Sequence, residues 1–119
     1  MIDNNLILEA TQQRVNSYAL YSFIKIGAAI KLDDNRIVTG ANIEFEDSKL
    51  NISALESAIY NLINKGYRAH NIVAIAISSD TKELYNLNTK EKDILNNLNI
   101  HNIPLYISNM SDKIVKIIL

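Results

Sequence analysis

Hydrophobic residues recur along the chain with the spacings of helices and strands. Residues 4–19, "NNLILEATQQRVNSYA", carry Leu6, Ala10, Val15 and Ala19 on or near one stripe, which predicts a helix. A second helix is predicted over residues 51–65, whose apolar residues at helical spacing are Ile52, Leu55, Ile59, Leu62 and Ile63.

Capping residues mark the ends of the predicted helices. Asn51 and Ser53 are both able to cap the start of the second helix, and Gly66 follows it as a stop signal. Residues 89–99, "TKEKDILNNLN", read as a third, amphipathic helix with Thr89 as its cap. The sequence therefore predicts three helices.

The remaining apolar runs have the character of strands. Residues 23–32 and 36–45 flank the turn residues Asp33-Asp34-Asn35 and predict an antiparallel hairpin. Residues 71–78, "NIVAIAIS", read as a strand buried on both faces. Residues 103–108 and 113–119 predict two more strands, the last either an open edge or the end of the chain's own sheet. The order α-β-β-α-β-α-β-β predicts a mixed sheet with helices packed on it.

Composition narrows the classes of protein to consider. The 119 residues, 48% hydrophobic and 21% charged, suit one globular domain over residues 1–119. A net charge of -1 gives no bulk attraction for nucleic acid or an anionic membrane. The start lacks the features of a signal peptide, and no apolar run reaches the roughly 18 residues of a membrane span. We therefore expect a cytoplasmic protein without nucleic-acid or membrane partners.

Cysteine is absent from the sequence. Disulfides, thiolate zinc sites, cysteine-ligated iron–sulfur clusters and cysteine nucleophiles are thereby excluded.

Two stretches in the first half resemble the cytidine deaminase family. Family members carry A-Y-x-P-Y-S-x-F-x-V-G-A-A before the hairpin, and "SYALYSFIKIGAAI" is similar to it at Tyr18, Tyr21, Ser22, Gly27, Ala28 and Ala29. The family's G-C-N-V-E after the turn resembles "GANIE", residues 40–44, and "GYRAHNIVAIAISSD" looks like the segment from the central helix to the next strand. The resemblance runs from about Arg14 to Asn109 and implies a three-layer α/β/α sandwich with a mixed sheet of about five strands.

The resemblance also implies a zinc-dependent reaction. In the family, three side chains at two helix starts hold zinc, and a fourth position carries a water molecule whose pKa the metal lowers. A glutamate that is not a ligand moves protons while water attacks the base and ammonia leaves.

When the family's motifs are aligned with this sequence residue by residue, different side chains stand at the motif positions. The first ligand position falls on Ser53 and the acid/base position on Leu55, while Glu56 lies one residue late. The second motif falls on "LNTKEK", with its ligand positions on Asn88 and Glu91. Ser and Asn are poor zinc ligands, so we expect no zinc and no other cofactor.

The other candidate ligands are polar residues without partners at metal-binding spacing. Glu56 and Glu91 are expected to be solvated charges on helix faces, with a site for a harder ion as the alternative. His70 and His101 are expected to be ordinary loop residues.

Nucleoside recognition in the family implies a second set of residues. The Asn and Glu that hold the ribose match Asn42 and Glu44, whose alternation along a strand puts both on one side. A plain strand-end role is the equal alternative for the two. The family's Phe beside the base is Ile24, and its Pro is Leu20.

The sequence thus predicts a catalytically inactive cytidine deaminase homologue, a self-associating or partner-binding module. Its expected partners are copies of itself, in a dimer or tetramer, or an active relative. A nucleoside-binding protein, with a pyrimidine nucleoside held by Asn42, Glu44 and Ile24, is one alternative. Cytidine deamination to uridine by an unrecognised route is the other.

Overall fold

A computed structural model describes residues 2–119. Helices and strands follow one another in the predicted order, with short 3₁₀ turns between some of them. Their bounds are α1 Asn4–Gln13, β1 Ile26–Leu32, β2 Ile37–Ala41, α2 Ala54–Asn64, β3 Ile72–Ser79, α3 Thr89–Asn97, β4 Pro104–Ser108 and β5 Ile114–Ile118.

The five strands form one mixed sheet in the order β2-β1-β3-β4-β5. Strand β1 is antiparallel to both of its neighbours, β3 and β4 are parallel, and β5 returns antiparallel to β4. The α3 crossover accounts for the parallel pair, because parallel neighbours need a long connection. The predicted fold class, a mixed sheet of about five strands, is confirmed.

Strand alternation divides the core into two layers. On one face, α1 packs against small and aromatic side chains of the sheet, and this cluster comprises Leu6, Ile7, Ala10, Ala29, Ala74, Ala76 and Tyr106. On the other face, α2 and α3 cover a larger aliphatic cluster, which includes Ile30, Leu32, Leu55, Ile59, Leu62, Ile75, Ile77, Leu95 and Leu105. The three-layer α/β/α arrangement follows from this division.

The first helix is shorter than the sequence predicts. It ends at Gln13, and a 3₁₀ turn over Arg14–Asn16 leads into extended backbone at Ser17. Tyr18 then exchanges backbone hydrogen bonds with residues 42 and 44, at 2.9 and 2.8 Å, which holds this stretch extended. Val15, expected on the buried stripe, is 78% exposed. Tertiary pairing therefore ends the helix before its apolar pattern does.

Side-chain caps set the starts of α2 and α3. Ser53 is the cap of α2, and Gly66 ends that helix region with φ 95°, a conformation that favours glycine. The prediction that Thr89 caps α3 is wrong: Asn88 is the cap, and Thr89 is the first helical residue. Asn is one of the strongest N-cap residues because its short side chain reaches the free N–H groups of the first turn.

Within residues 2–119, the helices are too short and too polar for any of them to cross a membrane. Strand β5 pairs with β4 and is the last strand at one edge of the chain's own sheet, which agrees with both alternatives for this segment.

Candidate ligand pocket at the starts of α2 and α3

A polar pocket of about 320 Å³ opens where α2 and α3 begin. Both helices start at the same end of the sheet, because α2 follows the carboxyl end of β2 and α3 follows the carboxyl end of β3. The pocket is lined on the loop side by Asn42, Ile43, Glu44, Ser48, Lys49, Asn51 and Ile52, and on the helix side by Ser53, Glu56, Tyr85, Asn88 and Lys90, with Ile26 between them.

Ser53 and Glu56 form a capping box at the start of α2. The Glu56 backbone N–H donates to Ser53 Oγ at 3.1 Å, and the Ser53 N–H donates to Glu56 Oε1 at 3.3 Å. This arrangement satisfies two N–H groups that the helix start leaves free. The residue at the family's first ligand position is therefore already used as a helix cap.

Asn88 and Glu91 repeat the same arrangement at the start of α3. The Glu91 N–H donates to Asn88 Oδ1 at 2.7 Å, and the Asn88 N–H donates to Glu91 Oε1 at 2.9 Å. The Tyr85 hydroxyl donates to the same Oε1 at 2.7 Å. Burial, together with the hydrogen bond to Glu91, raises the pKa of Tyr85, so its hydroxyl keeps the proton it donates.

Leu55, at the family's acid/base position, points away from the pocket. Its side chain is 1% exposed and belongs to the aliphatic core beneath α2. Leu87 also packs partly buried against that core, and neither residue lines the pocket. The space at the helix starts is thus open and polar, not filled by these leucines.

The expectation that Glu56 and Glu91 are solvated charges is wrong. The two residues are 2% and 1% exposed. Glu56 Oε2 receives hydrogen bonds from the Tyr60 hydroxyl at 3.1 Å and pairs with Lys90 Nζ at 3.0 Å. Glu91 Oε2 is buried, and no hydrogen-bond partner reaches it from the part of the chain described. The glutamates are buried because the capping boxes fold them back over the helix starts.

Asn42 and Glu44 both line the pocket, but they lie after the end of β2, and Ile43 between them lines it as well, so the strand alternation does not separate them. Asn42 Oδ1 accepts from the Ile26 N–H at 3.0 Å, and its Nδ2 donates to the Ile24 carbonyl at 2.9 Å. Both groups thereby hold the extended stretch before β1.

Glu44 holds the preceding turn. Its Oε1 accepts from the N–H groups of Tyr21 and Ser22 at 3.0 and 2.9 Å, and its Oε2 accepts from the Ser22 hydroxyl. These hydrogen bonds, that of the Ser22 hydroxyl first, lower the pKa of Glu44 below its ordinary 4.5. The carboxylate is therefore charged at neutral pH.

Ile24 is not brought into the pocket. Its side chain is partly exposed, and Ile26, two residues later, contributes the apolar wall instead. His70 and His101 are exposed residues outside the pocket.

The donor set at the helix starts does not suit zinc. The three family ligand positions hold a hydroxyl, an amide and a carboxylate, and each already takes part in a capping hydrogen bond. Across residues 2–119, no three His, Cys, Asp or Glu side chains come together as a metal-binding group. Zinc prefers thiolate and imidazole, so the residues present do not fit it.

Sequence reasoning missed Tyr60, Tyr85 and Lys90 as parts of this site. The spacing S-x-x-E from Ser53 and N-x-x-E from Asn88 is a capping-box signature that would have placed both glutamates. No local pattern indicates that Lys90, which lies on α3, pairs with Glu56 on α2.

Comparison with known proteins identifies the fold. No protein-family model matches the chain. A cytidine deaminase of Halalkalibacterium halodurans is 39% identical over 77 residues, which are 65% of this chain and 57% of that relative. A cytidine deaminase of Sporosarcina psychrophila is 26% identical over 109 residues, 92% of this chain and 79% of that relative. The first match thus covers little more than half of that relative's length.

Solved structures of cytidine deaminases are also similar to this chain, over most or nearly all of its length. Cytidine deaminase from Burkholderia pseudomallei superposes with a TM-score of 0.92 at 25% identity, covering 99% of this chain and 93% of that one. Cytidine deaminase from Mycobacterium tuberculosis superposes with a TM-score of 0.76 at 26% identity, covering 88% and 85%. With its sheet order, its two helix starts around one polar pocket and these similarities, the chain belongs to the cytidine deaminase family.

Proposed function

We propose that this member of the family binds a partner or ligand and does not deaminate cytidine. The observation that carries the proposal is that Leu55, which the sequence predicts at the family's acid/base position, lies in the core. An aliphatic side chain has no proton to transfer. Ser53, Asn88 and Glu91 support the same proposal, since they serve as caps and partners within the protein.

The pocket suits a small, polar, uncharged ligand. Glu44 accepts three hydrogen bonds, and a carboxylate has about four acceptor sites, so one remains for a ligand hydroxyl. Asn42 keeps one further donor and one further acceptor site on its amide. Pyrimidine nucleosides present hydroxyl groups of this kind, and they are the ligand class that we propose for the pocket.

Exposed apolar side chains before β1 support self-association. Phe23 is 77% exposed and has φ 60°, an uncommon conformation for an aromatic residue. Its exposed apolar neighbours in sequence are Val15, Tyr18, Leu20, Tyr21 and Ile24. Where exposed apolar side chains form a contiguous patch, they mark a protein–protein contact surface. We propose a homo-oligomer through this stretch.

Absorbance spectroscopy of cytidine and metal analysis of the purified protein test the loss of catalysis. We expect less than about 0.1 zinc per chain and no conversion of cytidine above the uncatalysed rate. A cytidine deaminase with an intact zinc site serves as the positive control. Stoichiometric zinc together with turnover would overturn the proposal and support deamination by an unrecognised route.

A thermal shift with cytidine and uridine tests ligand binding. A ligand at ten times its Kd stabilises the folded state by about 1.4 kcal/mol, which raises the Tm of a chain of this size by several degrees. Ser48→Trp, which fills the pocket mouth, is expected to abolish the shift. Asn64→Trp, at the opposite end of α2, is the matched control. No shift at millimolar nucleoside ends the nucleoside hypothesis.

A further inference from the structure

The starts of α2 and α3 are joined by a single ion pair across the space between them. Lys90 Nζ, in the first turn of α3, lies 3.0 Å from Glu56 Oε2, in the first turn of α2. Among the residues that the structure describes, this is the only hydrogen bond or ion pair between the two helices.

Beyond their starts, the two helices are separated by open space on the solvent side. A groove of about 310 Å³ separates α2 from α3 further along, between Tyr60 and Ile63 on one side and Ile94 and Leu98 on the other. Beneath the groove, Ile59 of α2 and Leu95 of α3 belong to the same aliphatic cluster. Apolar packing therefore joins the helices on the sheet side, and Lys90 and Glu56 are the polar side chains that bridge their starts.

The carboxylate in this pair is already oriented by its own helix. Glu56 Oε1 accepts from the Ser53 N–H, while Tyr60 donates to Oε2 beside the lysine. A buried carboxylate held in one rotamer presents its second oxygen in a fixed direction, so only Lys90 has to lose side-chain freedom when the pair forms. Such pairs are stronger than pairs between two mobile surface residues.

We infer that Lys90 and Glu56 form a cross-link that holds the starts of α2 and α3 together without a metal ion and forms one wall of the pocket. The inference rests on the proposed absence of zinc, because the same two helix starts are those that carry the family's ligand positions. The ammonium group supplies the positive charge between the helices, and the glutamate supplies the negative one. Both residues line the pocket, so the cross-link also sets its width.

A double-mutant cycle measured by urea unfolding tests the cross-link. Lys90→Met removes the charge but keeps the length of the side chain, and Glu56→Gln keeps a side chain able to complete the capping box. We expect each single variant to raise the unfolding equilibrium constant by roughly tenfold, and the double variant to raise it little further, because both remove the same interaction. Lys92→Met, at an exposed lysine of α3 without an ion pair in the described chain, is the matched control and should change it less than about twofold.

Several results of the double-mutant cycle would contradict the proposed cross-link. If the effects of Lys90→Met and Glu56→Gln simply add, the pair is not coupled and the inference is wrong. If Glu56→Gln does not fold, the salt dependence of Lys90→Met decides: its effect should shrink between 0.05 and 1 M NaCl, since salt screens a half-exposed pair. An effect independent of salt would contradict the cross-link. Lys90→Arg should restore most of the wild-type stability.

The metal requirement is tested separately from the coupling. We expect 5 mM EDTA to leave the Tm of the wild-type protein unchanged. A fall in Tm with EDTA, or zinc in the purified protein, would overturn both the proposed function and the metal-free cross-link. Absence of coupling in the cycle, with no zinc present, would overturn the cross-link alone and leave the proposed function standing.

Discussion

Leu55 and Glu56 are adjacent residues with opposite surroundings. Neighbouring positions on a helix point about 100° apart, so one of the two faces the core and the other the pocket. Leu55 is buried among aliphatic side chains, and Glu56 is held by Ser53, Tyr60 and Lys90. Under the proposed loss of catalysis, Glu56, one residue after the predicted acid/base position, is a structural anchor and not a proton carrier.

Substitution of Leu55 tests this placement. Leu55→Ala is expected to lower the free energy of unfolding by about 2–5 kcal/mol, because it leaves a cavity in the core. Leu55→Glu should lower it further, since it brings a carboxylate into that core without a partner. Urea unfolding measures both, with Leu50→Ala at an exposed position as the control. A Leu55→Glu variant as stable as wild type would mean that residue 55 faces the pocket.

Glu44 gives a prediction about pH. Its pKa is lowered in the folded state, so its contribution to stability is present above its ordinary value of 4.5 and is lost as pH falls through the lowered folded-state pKa. We therefore expect Glu44→Gln to be clearly less stable than wild type at pH 7, and the gap to close as the pH falls towards 3. Thermal unfolding across this range, with the exposed Glu46→Gln as control, measures it. A gap independent of pH would contradict the assignment.

At the scale of elements, two glycines decide how closely the helices sit on the sheet. A Cβ atom at Gly27 would lie 2.0 Å from the Ala10 carbonyl oxygen, and one at Gly40 would lie 2.3 Å from the Ala58 nitrogen. Real side chains do not approach backbone atoms this closely, so α1 rests directly on β1 and α2 on β2. The two contacts lie on opposite faces of the sheet.

Alanine at either glycine is expected to displace a helix. Gly27→Ala and Gly40→Ala should each lower the free energy of unfolding by about 1–3 kcal/mol or more, because neither backbone neighbour is able to move aside cheaply. Gly66→Ala is the control: its surroundings are open and only its positive φ opposes the change, at about 1 kcal/mol. Differential scanning calorimetry compares the three. Equal effects at all three positions would mean that close packing is not the cause.

At the scale of the whole molecule, the exposed stretch before β1 and the pocket lie at the same end of the sheet. Glu44 anchors Tyr21 and Ser22 while it also lines the pocket. The proposed contact surface and the proposed ligand site are therefore connected through one carboxylate. Strand β5, with Ile117 and Ile118 partly exposed, lies at the sheet edge away from the β1–β2 hairpin.

Sedimentation velocity tests the proposed oligomer. We expect a dimer or tetramer at micromolar concentration, and a shift to monomer in Phe23→Asp, because a charge at this position cannot be buried in an apolar contact. Leu8→Asp, at an exposed apolar residue of α1, is the matched control and should leave the assembly unchanged. A wild-type monomer would contradict the proposal, and a Phe23→Asp oligomer would move the contact elsewhere.

Local patterns in the sequence predict much of the fold, and each wrong prediction has a physical cause. The hairpin, the buried β3 and the helix of residues 54–64 follow from periodicity and turn residues. The first helix ends early because Tyr18 pairs with residues 42 and 44, which lie far away in the chain. The sequence does not separate Asn88 from Thr89 as the cap of α3, because both are good caps, and only the first-turn geometry identifies Asn88.

The amino-acid sequence by itself determined the order of elements and the family resemblance, and it predicts which residues stand at the ligand and acid/base positions. These depend on residue types and short spacings, which are local properties. The tertiary structure alone decided how far Glu56 and Glu91 are withdrawn from solvent and that Lys90 reaches Glu56 from another helix. Burial and pairing between distant segments depend on how the helices sit on the sheet, and no local pattern in the chain encodes that.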